Sequence, residues 1–131
     1  MASIFTKIIN REIPAYIVAE DESFIAFLDV MPLVEGHTLV VPKVEVDYIF
    51  DLDTATLANL MVFAQRVAKA VEKSISCKRV GVAVIGLEVP HTHVHLVPLN
   101  TMNDINFTMP KIKLPAETMQ AIADRIRANL A

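Results

Sequence analysis

The run Pro90-His91-Thr92-His93-Val94-His95-Leu96-Val97-Pro98 constrains this chain more than any other segment. Side chains alternate across an extended strand, so His91, His93 and His95 fall on one face and Thr92, Val94 and Leu96 on the other. The second face is apolar and belongs against a core. The histidine face then lines a cleft. The chain has 4 histidines in all, and three of them at strict period two is a pattern that packing does not ask for.

Two chemistries suit such a ladder. One is a metal site. At roughly 3.3 Å per residue, the Cα atoms of His91 and His95 are about 13 Å apart, whereas zinc holds its nitrogens at about 2.0–2.1 Å. His93 with either His91 or His95 could share an ion; all three from one straight strand could not. The other is nucleophilic catalysis. Imidazole titrates near neutrality, so the middle ring can attack as a neutral base while its neighbours position it or move protons.

The rest of the chain supplies a frame for that strand. Tyr16–Ala19 and Phe24–Leu28 read as two strands about the polar turn Glu20–Ser23. Pro32 and Gly36 punctuate a loop, and His37–Val41 is a third strand stopped at Pro42. From Asp53 to Ser76, Leu57, Leu60, Met61, Ala64, Val67, Ala68, Val71 and Ile75 make the apolar stripe of a long helix, with Asp53 or Thr54 as its cap. Lys78–Leu87 reads as a fourth strand and His91–Leu99 as the fifth. Pro115 suits the first turn of a last helix, whose stripe is Met119, Ile122, Ile126 and Leu130. These elements predict an α+β fold: a mostly antiparallel five-stranded sheet with one long helix and a C-terminal helix. With 131 residues the chain is one domain, residues 1–131.

Charge and cysteine usage narrow the function. A net charge of −3 and scattered basic residues give no cluster able to displace counterions, so no nucleic-acid partner is expected. No apolar run reaches the length of about 18 residues that a membrane span needs. Cys77 is the only cysteine, which fits a reducing compartment, and it reads as a small buried hydrophobe or an idle thiol. With no signal-peptide pattern at the start, a cytoplasmic location is expected.

His91-Thr92-His93-Val94-His95-Leu96-Val97 resembles the H-φ-H-φ-H-φ-φ motif of the histidine triad (HIT) superfamily. Ile4 to Pro14, Ala26 to Val30 and Gly36 to Lys43 resemble three further blocks of that family, in its order, so the likeness covers a core of about residues 1–100. It is nearest to the Hint-like nucleotide hydrolase branch. Residues 101–131, with the last helix, form a less distinct C-terminal extension.

The resemblance implies a HIT-like fold, paired in a homodimer that shares one sheet. It implies a nucleoside-phosphate hydrolase or transferase acting on the α-phosphorus of a purine nucleotide conjugate, an adenosine phosphoramidate or a dinucleotide. His93 matches the nucleophile, which forms a nucleotidyl-histidine intermediate. His95 matches the residue beside the phosphate and leaving group, and His91 and His37 the supporting histidines. Asp29 matches the carboxylate that accepts the ribose hydroxyls. Ile4, Phe5, Ile8, Phe27, Val30 and Leu39 match the apolar slot for the base. No cofactor is implied.

The chain departs from the family pattern twice. Many members hold a structural zinc with an N-terminal C-x-x-C, a histidine after the V-P-K segment and the first triad histidine. Ser3 and Thr6 stand at the cysteine positions and Glu45 at the later histidine position, so no metal is expected there. Before the triad, where Gly-Gln-Ser/Thr-Val is usual, stands Gly86-Leu87-Glu88-Val89. Leu87 cannot hydrogen-bond, and Glu88 brings negative charge toward a phosphate. Three readings follow: a hydrolase working through His93, a nucleotide-binding adaptor with little turnover, and a metal-binding protein.

Overall fold

Two apolar runs are buried along their whole length, Phe24–Leu28 and Thr38–Pro42. A strand buried on both faces must lie inside a sheet that is covered on both sides. The computed structural model, which describes residues 2–130, has that arrangement. Its strands are β1 (Ile17–Glu20), β2 (Phe24–Leu28), β3 (Thr38–Pro42), β4 (Arg79–Ala83) and β5 (Val94–Leu99), and its α-helices are α1 (Ile4–Ile9), α2 (Thr54–Ser74) and α3 (Ala116–Ala128). The sheet order is β1-β2-β3-β5-β4, with every neighbouring pair antiparallel. The α+β fold and five-stranded sheet expected from the sequence are both present.

Alternation along the strands divides the core. Phe24, Ala26, Leu28, Val40, Val94 and Leu96 face α2 and α3 in the larger cluster. Ile25, Phe27, Leu39 and Val41 face the other way and pack with Phe5 and Ile8 of α1. Leu39 pairs with His95 across β3 and β5. The histidine face is therefore the α1 face.

Several boundaries differ from the sequence reading. β5 begins at Val94 and not at His91, because the His91 N–H bonds back to Val89 and the Thr92 N–H bonds to Val46, taking that backbone off the ladder. β4 stops at Ala83, which pairs with His95; beyond it the diverted chain offers no partner, and Val84–Leu87 is not strand. In α2, Met61 is exposed, and Phe63 is buried in its place against Phe24. Asp53 caps that helix by accepting from the Thr56 N–H. The α1 helix was not expected: six residues are too few to show a helical period. Cys77 is half-buried and unpaired, and burial pushes its thiol up. Among the described residues no helix is long and apolar enough to cross a membrane.

Candidate active site

His37 enters the site from the loop that leads into β3. Gly36 makes that approach possible: its φ is +91°, and a Cβ there would stand 2.7 Å from Cγ1 of Ile75. The β3–β5 pairing then sets His37 beside His95, with 2.9 Å between His37 Nε2 and His95 Nδ1. The Leu33 N–H donates to His37 Nδ1 at 3.0 Å. That bond fills the Nδ1 lone pair, so a neutral His37 carries its proton on Nε2 and donates it to His95 Nδ1. His95 in turn carries its proton on Nε2. Burial keeps both rings neutral: it lowers His37 to about 3 and His95 to about 4, with neighbouring histidines adding to the shift.

The other two rings are fixed by carbonyls. His93 Nδ1–H donates to the His91 carbonyl at 2.7 Å, which leaves the Nε2 lone pair of a neutral His93 without a protein partner among the described residues. His91 Nε2–H donates to the Pro42 carbonyl at 2.8 Å, and its Nδ1 lies 2.7 Å from Ser3 Oγ. Desolvation lowers the His91 pKa. Phe5 stands edge-on to both rings, its centroid 5.9 Å from His91 and 5.0 Å from His93. The His93 and His95 centroids are 4.9 Å apart.

These tautomers bear on metal binding. Ligand atoms of Asp29, His37 and His95 all lie within 4.8 Å of one another, but the facing nitrogens of the two histidines share one proton in a hydrogen bond. Both nitrogens of His91 are engaged as well, so it has no lone pair to turn toward an ion beside His93. The positions of the family zinc site, Ser3, Thr6, Glu45 and His91, do come together, joined by hydrogen bonds. They offer two hydroxyls, one carboxylate and one imidazole whose nitrogens are both hydrogen-bonded, where structural zinc sites are built of thiolates and imidazoles. That set does not fit zinc.

Asp29 lies at the end of β2, its Oδ1 accepting the Met31 N–H at 2.9 Å and its Oδ2 3.7 Å from His37 Nε2. Burial raises its pKa. Of the six apolar residues read as a base slot, Phe5, Ile8, Phe27 and Leu39 form one buried cluster against the histidine side of the sheet. Ile4 and Val30 are exposed. Glu88 is exposed, and Leu87 is 88% exposed.

Sequence reasoning did not find two contributors. Leu33 acts through its backbone, which no side-chain pattern reveals. Phe107, in the C-terminal extension, packs its ring 4.7 Å from His95 and 6.2 Å from His37. Its segment is tied down where the Ile112 N–H bonds the Pro32 carbonyl.

Residues 10–102 match the model of the HIT domain. The chain is 37% identical over 98 residues to an adenosine 5'-monophosphoramidase of Saccharomyces cerevisiae, covering 74% of this chain and 62% of that protein. It is 26% identical to the adenosine 5'-monophosphoramidase of Schizosaccharomyces pombe over 99% of both chains. A HIT-like protein from Bartonella henselae has the same fold, with a TM-score of 0.84, 36% identity, and 98% of this chain and 96% of that chain covered.

Proposed function

This chain belongs to the HIT family, and we propose that it hydrolyses purine nucleotide conjugates at the α-phosphorus, with an adenosine phosphoramidate as its type of substrate. The observation that carries this reading is the setting of His93: Nδ1–H held by a carbonyl, Nε2 with no protein partner among the described residues, and a neutral His37–His95 pair alongside. The phosphoramidase names of the two yeast relatives support the substrate class.

The His93 Nε2 lone pair forms a bond to phosphorus as the P–N bond to the leaving amine breaks. That bond's electron pair stays on the amine nitrogen, which takes a proton from water. The nucleotidyl-imidazolium that results keeps its Nδ1–H on the His91 carbonyl, an acceptor well placed for a developing positive charge. His95 Nε2–H offers a hydrogen bond to the leaving nitrogen or a phosphate oxygen. Water then attacks phosphorus, the P–Nε2 bond breaks, its electron pair returns to the ring, and the water's proton is released. The covalent step divides one hard displacement into two easier ones. Asp29 accepts the ribose hydroxyls, and the cluster of Phe5, Ile8, Phe27 and Leu39, with Ile4 and Val30 at its rim, takes the base.

A homodimer belongs to this reading. β4 is an edge strand with Val82, Val84 and Ile85 exposed along and just beyond it, a surface that a second copy would cover. The exposed Leu87 favours a second reading, a nucleotide-binding adaptor with little turnover.

Intact-mass spectrometry of the protein mixed with adenosine 5'-phosphoramidate separates the two. The hydrolase reading expects a transient adenylyl adduct and AMP release, both lost in His93→Ala, with a fall in turnover of about 10³-fold or more. AMP binding with no adduct and no release supports the adaptor. Activity of His93→Ala within tenfold of wild type overturns the covalent mechanism.

A further inference from the structure

We propose that Ser3, Thr6 and Glu45 form a metal-free clamp that holds His91 in its Nε2–H tautomer and, through the His91 carbonyl, aims His93. This inference rests on His93 being the nucleophile.

The direction of every hydrogen bond in the clamp is set by a group that has no choice. The Pro42 carbonyl only accepts, so His91 Nε2 must bear the proton and Nδ1 must be a lone pair. Ser3 Oγ, 2.7 Å away, therefore donates to it. The same oxygen accepts the Thr6 N–H at 3.0 Å, which makes Ser3 the N-cap of α1. The Thr6 hydroxyl also lies 3.4 Å from His91 Nδ1 and competes for it. Glu45 removes that competitor: its Oε1 accepts the Thr6 hydroxyl at 2.6 Å and the Ser3 N–H at 2.7 Å. Glu45 is kept there because the next residue, Val46, accepts from the Thr92 N–H and hydroxyl.

The alternative tautomer is unfavourable at both ends of the ring. It would set a nitrogen lone pair against the Pro42 carbonyl, and it would turn the Ser3 hydroxyl from donor to acceptor, leaving its proton only the longer contact to Thr6 Oγ1 at 3.4 Å. His91 is fully buried and Ser3 nearly so, so water cannot repair either mismatch. Pinning the ring at both nitrogens fixes the residue whose carbonyl receives His93 Nδ1–H at 2.7 Å. The cap also seats α1, and with it Phe5 edge-on to both rings. Ser3, Thr6 and Glu45 touch no reacting atom in this scheme. They are positioning residues.

Nitrogen NMR of the histidine rings in the full chain reads the clamp without substrate. The wild type should show His91 neutral and protonated on Nε2, unchanged by a chelator. Ser3→Ala should disturb that signature and slow adduct formation on His93 about tenfold, with KM within about threefold of wild type. Ser3→Thr, which keeps the hydroxyl, should restore both. Glu45→Ala, altered at an exposed position, should give a smaller loss in the same direction and serves if Ser3→Ala does not fold. A wild-type His91 protonated on Nδ1 overturns the clamp, as does a wild-type rate in both variants. So does activity lost on chelation and regained with zinc. If the wild type forms no adduct at all, the phosphoramidase reading fails, and the ring signals alone decide the clamp.

Discussion

His91 and Leu87 stand four residues apart and in opposite circumstances. Both nitrogens of His91 end on fixed partners from distant parts of the chain, Ser3 and Pro42. Leu87 is 88% exposed, and Gly86 before it, at φ +73°, would place a Cβ with nothing within 4 Å. One flank of His93 is over-determined and the other is open. Within a single copy of this chain the aim of His93 is built in, whereas the loop that would meet a leaving group is not. Changes on the closed side should register in folding stability as well as in the aim of His93, and changes on the open side in rate alone.

The comparison is broken most strongly by turning the clamp into a metal site. Ser3 Oγ, Thr6 Oγ1 and His91 Nδ1 lie 2.7–3.4 Å from one another, close to the spacing of ligands around one tetrahedral ion. A triple variant, Ser3→Cys with Thr6→Cys and Glu45→His, should bind one zinc and gain several kcal/mol of stability, on the order of what a structural site adds. Elemental analysis and the thermal midpoint with and without chelator check this. A folded triple variant that takes up no zinc would mean that the closed flank is not organised around one point.

Acid should act next, on the buried His37–His95 pair beside His93. The unfolded chain takes up protons on His37 and His95 below a pH of about 6.5, while the buried rings stay neutral down to about 4 for His95 and about 3 for His37. Between those limits the unfolded state binds more protons, so stability falls as the pH is lowered, by about 1.4 kcal/mol per unit for each ring. Asp29, raised by burial, acts in the opposite direction at the acid end. Urea unfolding at pH 7 and pH 5 should show a loss of about 2 kcal/mol or more, and His37→Gln should reduce the pH dependence. A flat profile would show that the pair is solvated in solution.

The open side predicts the smallest change, and in rate alone. Leu87→Gln with Glu88→Ser supplies a neutral donor and removes a like charge. Turnover of adenosine 5'-phosphoramidate should rise about tenfold, part of what one oxyanion donor contributes elsewhere, with the urea midpoint unchanged. A folded double variant that is slower on every phosphoramidate tried would make Leu87 and Glu88 adaptations to a different leaving group.

What the sequence made legible follows from the range of each interaction. The periods of α2 and α3 and the apolar runs of β2 and β3 are local, and they were readable. The stripe takes in Met61, which is exposed, and misses Phe63, which is buried, because a periodic pattern gives a helix face only to within a residue or so. The period-two histidines marked the right face of the sheet, yet the start of β5 was misplaced because Val46, 46 residues upstream, takes the Thr92 hydrogen bonds. Ser3, Thr6 and Glu45 could be read only as missing zinc ligands. Their contacts with one another and with His91 close over 42 and 88 residues, and no local pattern encodes such closures. Phe107 gave no signal, since a lone aromatic in an irregular segment has no period.

The sheet order β1-β2-β3-β5-β4 carries a consequence for assembly in time. The strand that leads out of the histidine ladder lies between β3, which precedes α2, and β4, which follows it. It pairs with β4 over a short span of chain and with β3 only across α2, and that second pairing joins the two halves of the sheet. Contacts of such long sequence separation form late and slowly compared with the β1–β2 and β2–β3 hairpins. A growing chain therefore passes through states that have most of the sheet and an unassembled histidine site. The His37–His95 pair and the aim of His93 appear together, in the step that closes the sheet.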